Sequence, residues 1–145
     1  IPTGPGYWEY DSTTSFLGQL GDALGDIAAG FARLEPERAP KAFDAVRILM
    51  TRYETGNPLH QSMAEFYGGL FDEEFCLQPV ELSRAVEQAG RFQKSVYEQD
   101  YREVTRETWK RARASFDAAW AETRAALLAA WEARQGATEK TGEAA

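Results

Sequence analysis

The residues able to do covalent or acid–base chemistry are few in this chain. There is a single histidine, His60, and a single cysteine, Cys76. A serine triad would have to be built on His60, and no nucleophile-elbow glycine pattern accompanies it. One cysteine and one histidine are too few for a zinc site. The sequence therefore predicts no catalytic residue, no metal and no cofactor, and a protein that is not an enzyme.

Carboxylates offer the remaining route to catalysis. Glu65, Asp72 or Glu81 would suit acid–base work if a cavity inside a helical bundle raised the pKa of one of them. The adjacent acids Asp72, Glu73 and Glu74 could also attract a divalent cation. Neighbouring acids without further oxygen ligands at defined spacing are more typical of a solvated turn. An enzyme is therefore the third hypothesis, behind two non-catalytic ones.

Three tryptophans dominate the carboxyl-terminal part of the sequence. Trp109, Trp120 and Trp131 are spaced eleven residues apart. Eleven residues are close to three helical turns, so the indoles should share one side of a helix and drift by only about 20° per step. Phe116 and Leu127 extend the same row. We call these five residues the aromatic stripe, and its pattern predicts either a packed core or a docking surface.

Alanines widen the apolar face of this helix. Seven of them lie between 118 and 130, on more than one side of the helix. A wide apolar face can contact two neighbours at once, which favours a protein partner or self-association through the C-terminal helix. The first hypothesis is therefore a non-enzymatic structural or accessory subunit that docks in a larger assembly.

The same region resembles two kinds of surface-binding protein. Its eleven-residue repeat is similar to those of exchangeable lipid-surface proteins. Its Ala-rich helical build over 107–135 is similar to that of phasins, which coat storage granules. The resemblance implies the second hypothesis, an amphipathic coat or carrier protein for an apolar surface or a small hydrophobic ligand.

Net charge and hydropathy restrict the kinds of partner that the chain is expected to bind. The 145 residues carry a formal charge of -7, which repels nucleic acid and anionic lipid unless basic residues gather on one face. The densest basic group, around Lys110 to Arg113, is expected to balance nearby acids. No apolar run reaches the ~18 residues of a membrane span. We expect a soluble chain with no nucleic-acid partner, although peripheral contact with an apolar surface stays possible. The start at Ile1 suggests processing or trimming, and the compartment is unknown.

The amino-terminal elements must position these features. Proline and glycine at the start predict an irregular arm over 1–11, with Tyr7 and Trp8 as aromatic anchors. Ser12 and Thr13 are both good N-caps, and either one is expected to start a first helix that runs to about Leu34. Three glycines recur on that helix and predict close approach of another backbone; they are Gly18, Gly21 and Gly25. Together with the anchors and the stripe, they form the predicted interaction surface.

The rest of the chain reads as helical. Pro36 and Pro40 bracket a turn before a second helix that ends at Gly56, and Asn57-Pro58 caps a third. From Pro79 to Gln135 every local preference is helical, with either a bend between Gly90 and Tyr101 or an overhang. The prediction is an all-α bundle of three shorter helices plus one long, possibly bent C-terminal helix. It forms a single domain over 12–135, followed by a flexible tail over 136–145.

Overall fold

A computed structural model describes residues 1–35, 43, 45–100 and 102–142, with side chains described as far as Gly136. These residues form three strands and four α-helices, joined in part by a short 3-10 helix at Asp72–Glu74. In chain order the elements are β1 (Pro2–Thr3), α1 (Tyr7–Leu34), β2 (Leu49–Tyr53), α2 (Pro58–Phe71), β3 (Val80–Glu81), α3 (Arg84–Arg91) and α4 (Arg106–Gly142).

The three strands form one parallel sheet in the order β1-β2-β3. Thr3 pairs with Met50 on one side of β2, and Thr51 pairs with Val80 on the other. Parallel strands need crossover connections, and α1 and α2 provide them. The prediction of an all-α bundle is therefore wrong, because the protein is mixed α/β with a small sheet at its centre.

The strands escaped sequence analysis for physical reasons. β1 and β3 have two residues each, too short to display alternation. β2 lies inside the predicted second helix. Burial does alternate where β2 begins: Ile48, just before the strand, and Met50 are buried, whereas Leu49 and Thr51 are half-buried. Because both faces of β2 are at least partly covered, the run resembles a buried helix. The predicted turn at Pro36 and Pro40 lies outside the described residues.

The helix boundaries show where local signals were sufficient. α1 ends at Leu34 as predicted, but it begins at Tyr7, so residues 7–11 are helical rather than an irregular arm. The start of α2 is as predicted, and the Asn57 side chain accepts a hydrogen bond from the Leu59 N–H at 3.0 Å. The backbone of α4 stays helical to Gly142, well into the segment predicted to be a flexible tail.

The long helical stretch predicted after Pro79 is interrupted. It contains β3, then α3, then an irregular segment from Phe92 to Thr105 of which Tyr101 lies outside the described residues. α4 then runs without a break through all three tryptophans. The aromatic stripe therefore lies on one helix.

The main core lies on one face of the sheet. It is built from Ile48, Met50, Tyr67 and Phe75, with half-buried side chains from α1 and α2 against them. Tyr67 is 0% exposed, and burial raises the pKa of its hydroxyl. That hydroxyl lies 3.2 Å from the Thr3 hydroxyl, which is 2.8 Å from that of Thr13. These contacts join β1, α1 and α2.

A second, smaller core holds α3 and the segment after it against α4. Its buried members are Ala85, Val96 and Ala112. Gln99 is 3% exposed, and neither atom of its amide has a hydrogen-bond partner among the described residues. Its backbone carbonyl accepts a hydrogen bond from Trp109 Nε1 at 3.1 Å. The backbone of Gln99 is therefore used, while its side chain carries an uncompensated desolvation penalty.

Gln99→Met should raise stability, because it removes a buried unpaired amide and keeps nearly the same chain length. We expect the free energy of unfolding to rise by about 1–3 kcal/mol, measured by urea denaturation followed by circular dichroism. Gln135→Met, at an exposed site on α4, is the matched control and should change little. A loss of stability at position 99 would show that the amide is satisfied in solution.

Candidate docking surface and apolar cavity

The aromatic stripe divides into a covered part and an open part. Trp109 and Phe116 are half-buried, and the guanidinium of Arg113 lies 4.8 Å from the Trp109 ring. Trp120 and Trp131 are 61% and 59% exposed. α3 and the segment after it reach only the amino-terminal part of α4, so the stripe emerges from cover where they end.

Several polar contacts hold the amino-terminal half of α4 against β3 and the residues just before it. Arg111 Nε lies 3.1 Å from the Glu81 carboxylate, and the Glu81 N–H donates to the Ser115 hydroxyl at 3.2 Å. The Glu122 carboxylate accepts hydrogen bonds from the backbone N–H groups of Leu77 and Gln78, at 2.7 and 2.8 Å. α4 is therefore held from Arg111 to Glu122, and most of the exposed part of the aromatic stripe lies beyond Glu122.

Leu127 of the aromatic stripe is exposed as well, and so is its neighbour Leu128. Leu128 is one residue further round the helix, so the apolar patch is broader than a single row. The patch is the carboxyl-terminal continuation of a face that packs in the domain. We call Trp120, Leu127, Leu128 and Trp131 the open patch.

The predicted residues of α1 lie elsewhere. Tyr7 and Trp8 occupy its first turn and are largely exposed. A Cβ atom built on Gly18, Gly21 or Gly25 meets no atom of the described part of the chain within 4 Å. α1 packs on β1, whereas α4 packs on β3 and α3. The predicted interaction residues therefore form two separate surfaces at opposite edges of the sheet.

An apolar cavity of about 530 Å³ lies on the face of the sheet opposite the main core. Leu49 and Val80 belong to the sheet wall, Val86 to α3, and Phe116, Ala119 and Trp120 to α4. Pockets of this size and character are typical of small-molecule sites. Sequence reasoning missed it, because the cavity exists only where β2 and α4 come together.

Arg52 lines the same cavity and has an unusual backbone. It lies at an irregularity in the pairing of β2 with β3, where Thr51 and Tyr53 pair but Arg52 does not. Its φ is 59°, a left-handed conformation uncommon for residues other than glycine and asparagine. Irregularities of this kind re-aim a side chain relative to the sheet. Among the described residues, Arg52 has no ion pair or hydrogen bond through its guanidinium.

Three of the residues considered for chemistry are buried or engaged in contacts within the fold. His60 Nδ1 accepts a hydrogen bond from the Glu54 N–H at 3.0 Å. Cys76 is a buried free thiol; burial, and then the charge of Glu122, raise the pKa of that thiol, which suppresses its reactivity. Glu81 is engaged by Arg111. In the described part of the chain, no three acids, histidines or cysteines are placed to hold a metal.

The same part of the chain contains no helix with both the length and the apolar character needed to cross a bilayer.

Comparisons with known proteins add no relative. No protein-family model matches the sequence, and no curated protein is significantly similar to it. Any functional conclusion therefore depends on the surfaces described above.

Proposed function

We propose that this protein is a non-enzymatic structural or accessory subunit that docks in a larger protein assembly through α4. The observation that carries the proposal is the exposure of Trp120 and Trp131 on the helix face where Trp109 and Phe116 are covered. Exposed tryptophans in an apolar patch are typical of contact sites, because they supply large contact areas and dominate binding energy.

The chemistry of the open patch limits its partner. Ala126 and Ala130, about one turn apart, lie beside Leu127, so a neighbouring helix can approach α4 closely on that side. The chain has a net charge of -7, which disfavours nucleic acid. The partner is therefore an apolar protein surface, either on another protein or on a second copy of this chain.

A matched pair of substitutions tests the docking function. Trp131→Ser removes the outermost ring of the open patch, while Ala129→Ser changes an exposed residue on the other side of the helix. Tagged wild-type and variant chains are isolated from their native cells, and their complexes are sized by native mass spectrometry. Truncating a tryptophan that anchors an interface typically weakens binding by about 2 kcal/mol or more, roughly thirtyfold.

The proposal expects a stoichiometric complex in the wild type and in Ala129→Ser, and its loss in Trp131→Ser with an unchanged melting temperature. Monomeric behaviour of all three chains would rule the proposal out. A large fall in the melting temperature of Trp131→Ser would also contradict it, because Trp131 would then be a packing residue of the isolated chain.

A coat protein for an apolar surface is the second candidate, favoured by the apolar side chains that α1 exposes as well. These include Phe16, Ile27 and Leu34, so both long helices have apolar groups available for a surface. The same three chains can be mixed with neutral polymer particles. Particle binding that persists in the absence of any protein complex would favour the coat over the docking subunit.

A further inference from the structure

The apolar cavity between the sheet, α3 and α4 is a separate feature from the open patch, although Trp120 contributes to both. Its walls are mainly aliphatic and aromatic, and its volume of about 530 Å³ lies within the range that encloses small ligands. Covering an apolar surface of this kind with another apolar group is favourable because it removes both from water, so the occupant must be largely apolar.

The charges around the cavity indicate what else the occupant carries. Three charged residues line it: Arg52, Glu81 and Glu87. Glu81 is neutralised by Arg111 at 3.1 Å. Glu87 lies in the first turn of α3, where the amino-terminal end of the helix dipole stabilises a negative charge. Glu87 has no ion pair among the described residues, and Arg52 is the one positively charged residue in the lining; no described group pairs with its guanidinium.

We propose that this cavity binds a small amphiphile with one apolar tail and an anionic head, and that Arg52 binds the head. The tail lies against Val80, Phe116 and Trp120, and the guanidinium donates hydrogen bonds to a carboxylate or a similar anion at the mouth. Arginine suits this role because its planar group can donate two parallel hydrogen bonds to an oxyanion. The proposal is independent of the docking function.

Three ligands with the same tail separate the contributions of tail and head. Dodecanoate and dodecyltrimethylammonium are titrated below their critical micelle concentrations and dodecanol below its solubility limit, and binding is followed by calorimetry and tryptophan emission. Dodecanoate should bind most tightly. Dodecanol should bind more weakly through its tail alone, and the cation should bind weakest beside Arg52.

Variants of Arg52 test the head group. Arg52→Gln should weaken dodecanoate binding about ten- to hundredfold, since it removes a charge-assisted hydrogen bond, and should leave dodecanol binding unchanged. Arg52→Lys keeps the charge at the same backbone conformation and should restore much of the affinity. Arg124→Gln removes an exposed arginine of α4 outside the cavity and is the matched control.

Variants of the wall test the tail. Ala119→Leu should fill the cavity and weaken both dodecanoate and dodecanol; Thr123→Leu does the same from the next turn if the first variant fails to fold. Trp131→Ser should bind dodecanoate normally, so this proposal and the docking function succeed or fail separately. Absence of saturable dodecanoate binding, or equal affinity in wild type and Arg52→Gln, would overturn the proposal.

Discussion

Replacing Tyr67 with alanine should lower the free energy of unfolding by about 3–5 kcal/mol. Tyr67 is 0% exposed, and its ring centroid lies 5.9, 5.7 and 5.8 Å from those of Tyr10, Phe71 and Phe75. Removing the ring leaves a cavity where α1, α2 and the strands meet. Because small domains are stabilised by only about 5–15 kcal/mol, the variant should lose a large fraction of its stability and unfold at a much lower urea concentration.

Urea denaturation followed by circular dichroism measures this loss, with Tyr67→Phe as the control. Tyr67→Phe keeps the ring and should cost only about 1 kcal/mol, since the Thr3 hydroxyl retains its partner Thr13. If Tyr67→Ala were as stable as the wild type, the core between the sheet and the first two helices would be incorrectly described.

The wild type and Tyr67→Phe should also differ in how their stability changes in alkaline solution. Burial raises the pKa of the Tyr67 hydroxyl above its ordinary value of 10.0, so the neutral form is the one that the folded protein favours. Its contribution is fully present below pH 10 and is lost as the pH rises through the folded-state pKa. The wild type should therefore lose stability above pH 10 more steeply than Tyr67→Phe.

The second large effect distinguishes the two ends of the aromatic stripe. Trp109→Ala should cost about 2–3 kcal/mol, somewhat less than a fully buried tryptophan. It removes a half-buried ring, the hydrogen bond to the Gln99 carbonyl and the contact with Arg113. Trp131→Ala should change the stability of the isolated chain by less than about 0.5 kcal/mol, because its ring is mostly in solvent.

Chemical denaturation of the two variants, at a concentration where the chain is monomeric, gives this comparison directly. Equal losses at the two positions would mean that Trp131 packs within the chain and that the open patch does not exist in solution. Equal insensitivity would mean that the second core does not depend on Trp109. Only a large difference agrees with a stripe that is covered at one end.

The sequence predicted those features that local physics controls. The cap at Asn57, the end of α1 at Leu34 and the one-sided row of tryptophans each depend on residues within a few turns of one another. The sheet did not follow from the sequence, because β1 and β3 are too short to show a period and β2 is covered on both faces. The cavity was equally inaccessible, since Val80 and Phe116 become neighbours only through the tertiary fold.

Arg52 illustrates the same limit at a single residue. The residues next to Arg52 in the sequence do not predict a left-handed backbone, because this conformation arises at the irregularity in the pairing of β2 with β3. The predicted face at Gly18, Gly21 and Gly25 is a different case. The glycines are on the helix as expected, but no backbone among the described residues approaches them, so their predicted role stays a prediction.

The length of α4 affects whether a protein partner and a small ligand can bind at the same time. Trp131 lies eleven residues beyond Trp120, a rise of about 16 Å along the helix axis. A neighbour that contacts α4 at Trp131 alone would therefore leave Trp120, which lines the cavity, uncovered. A neighbour that contacts the whole open patch would also cover Trp120, so partner binding and ligand binding would then influence each other.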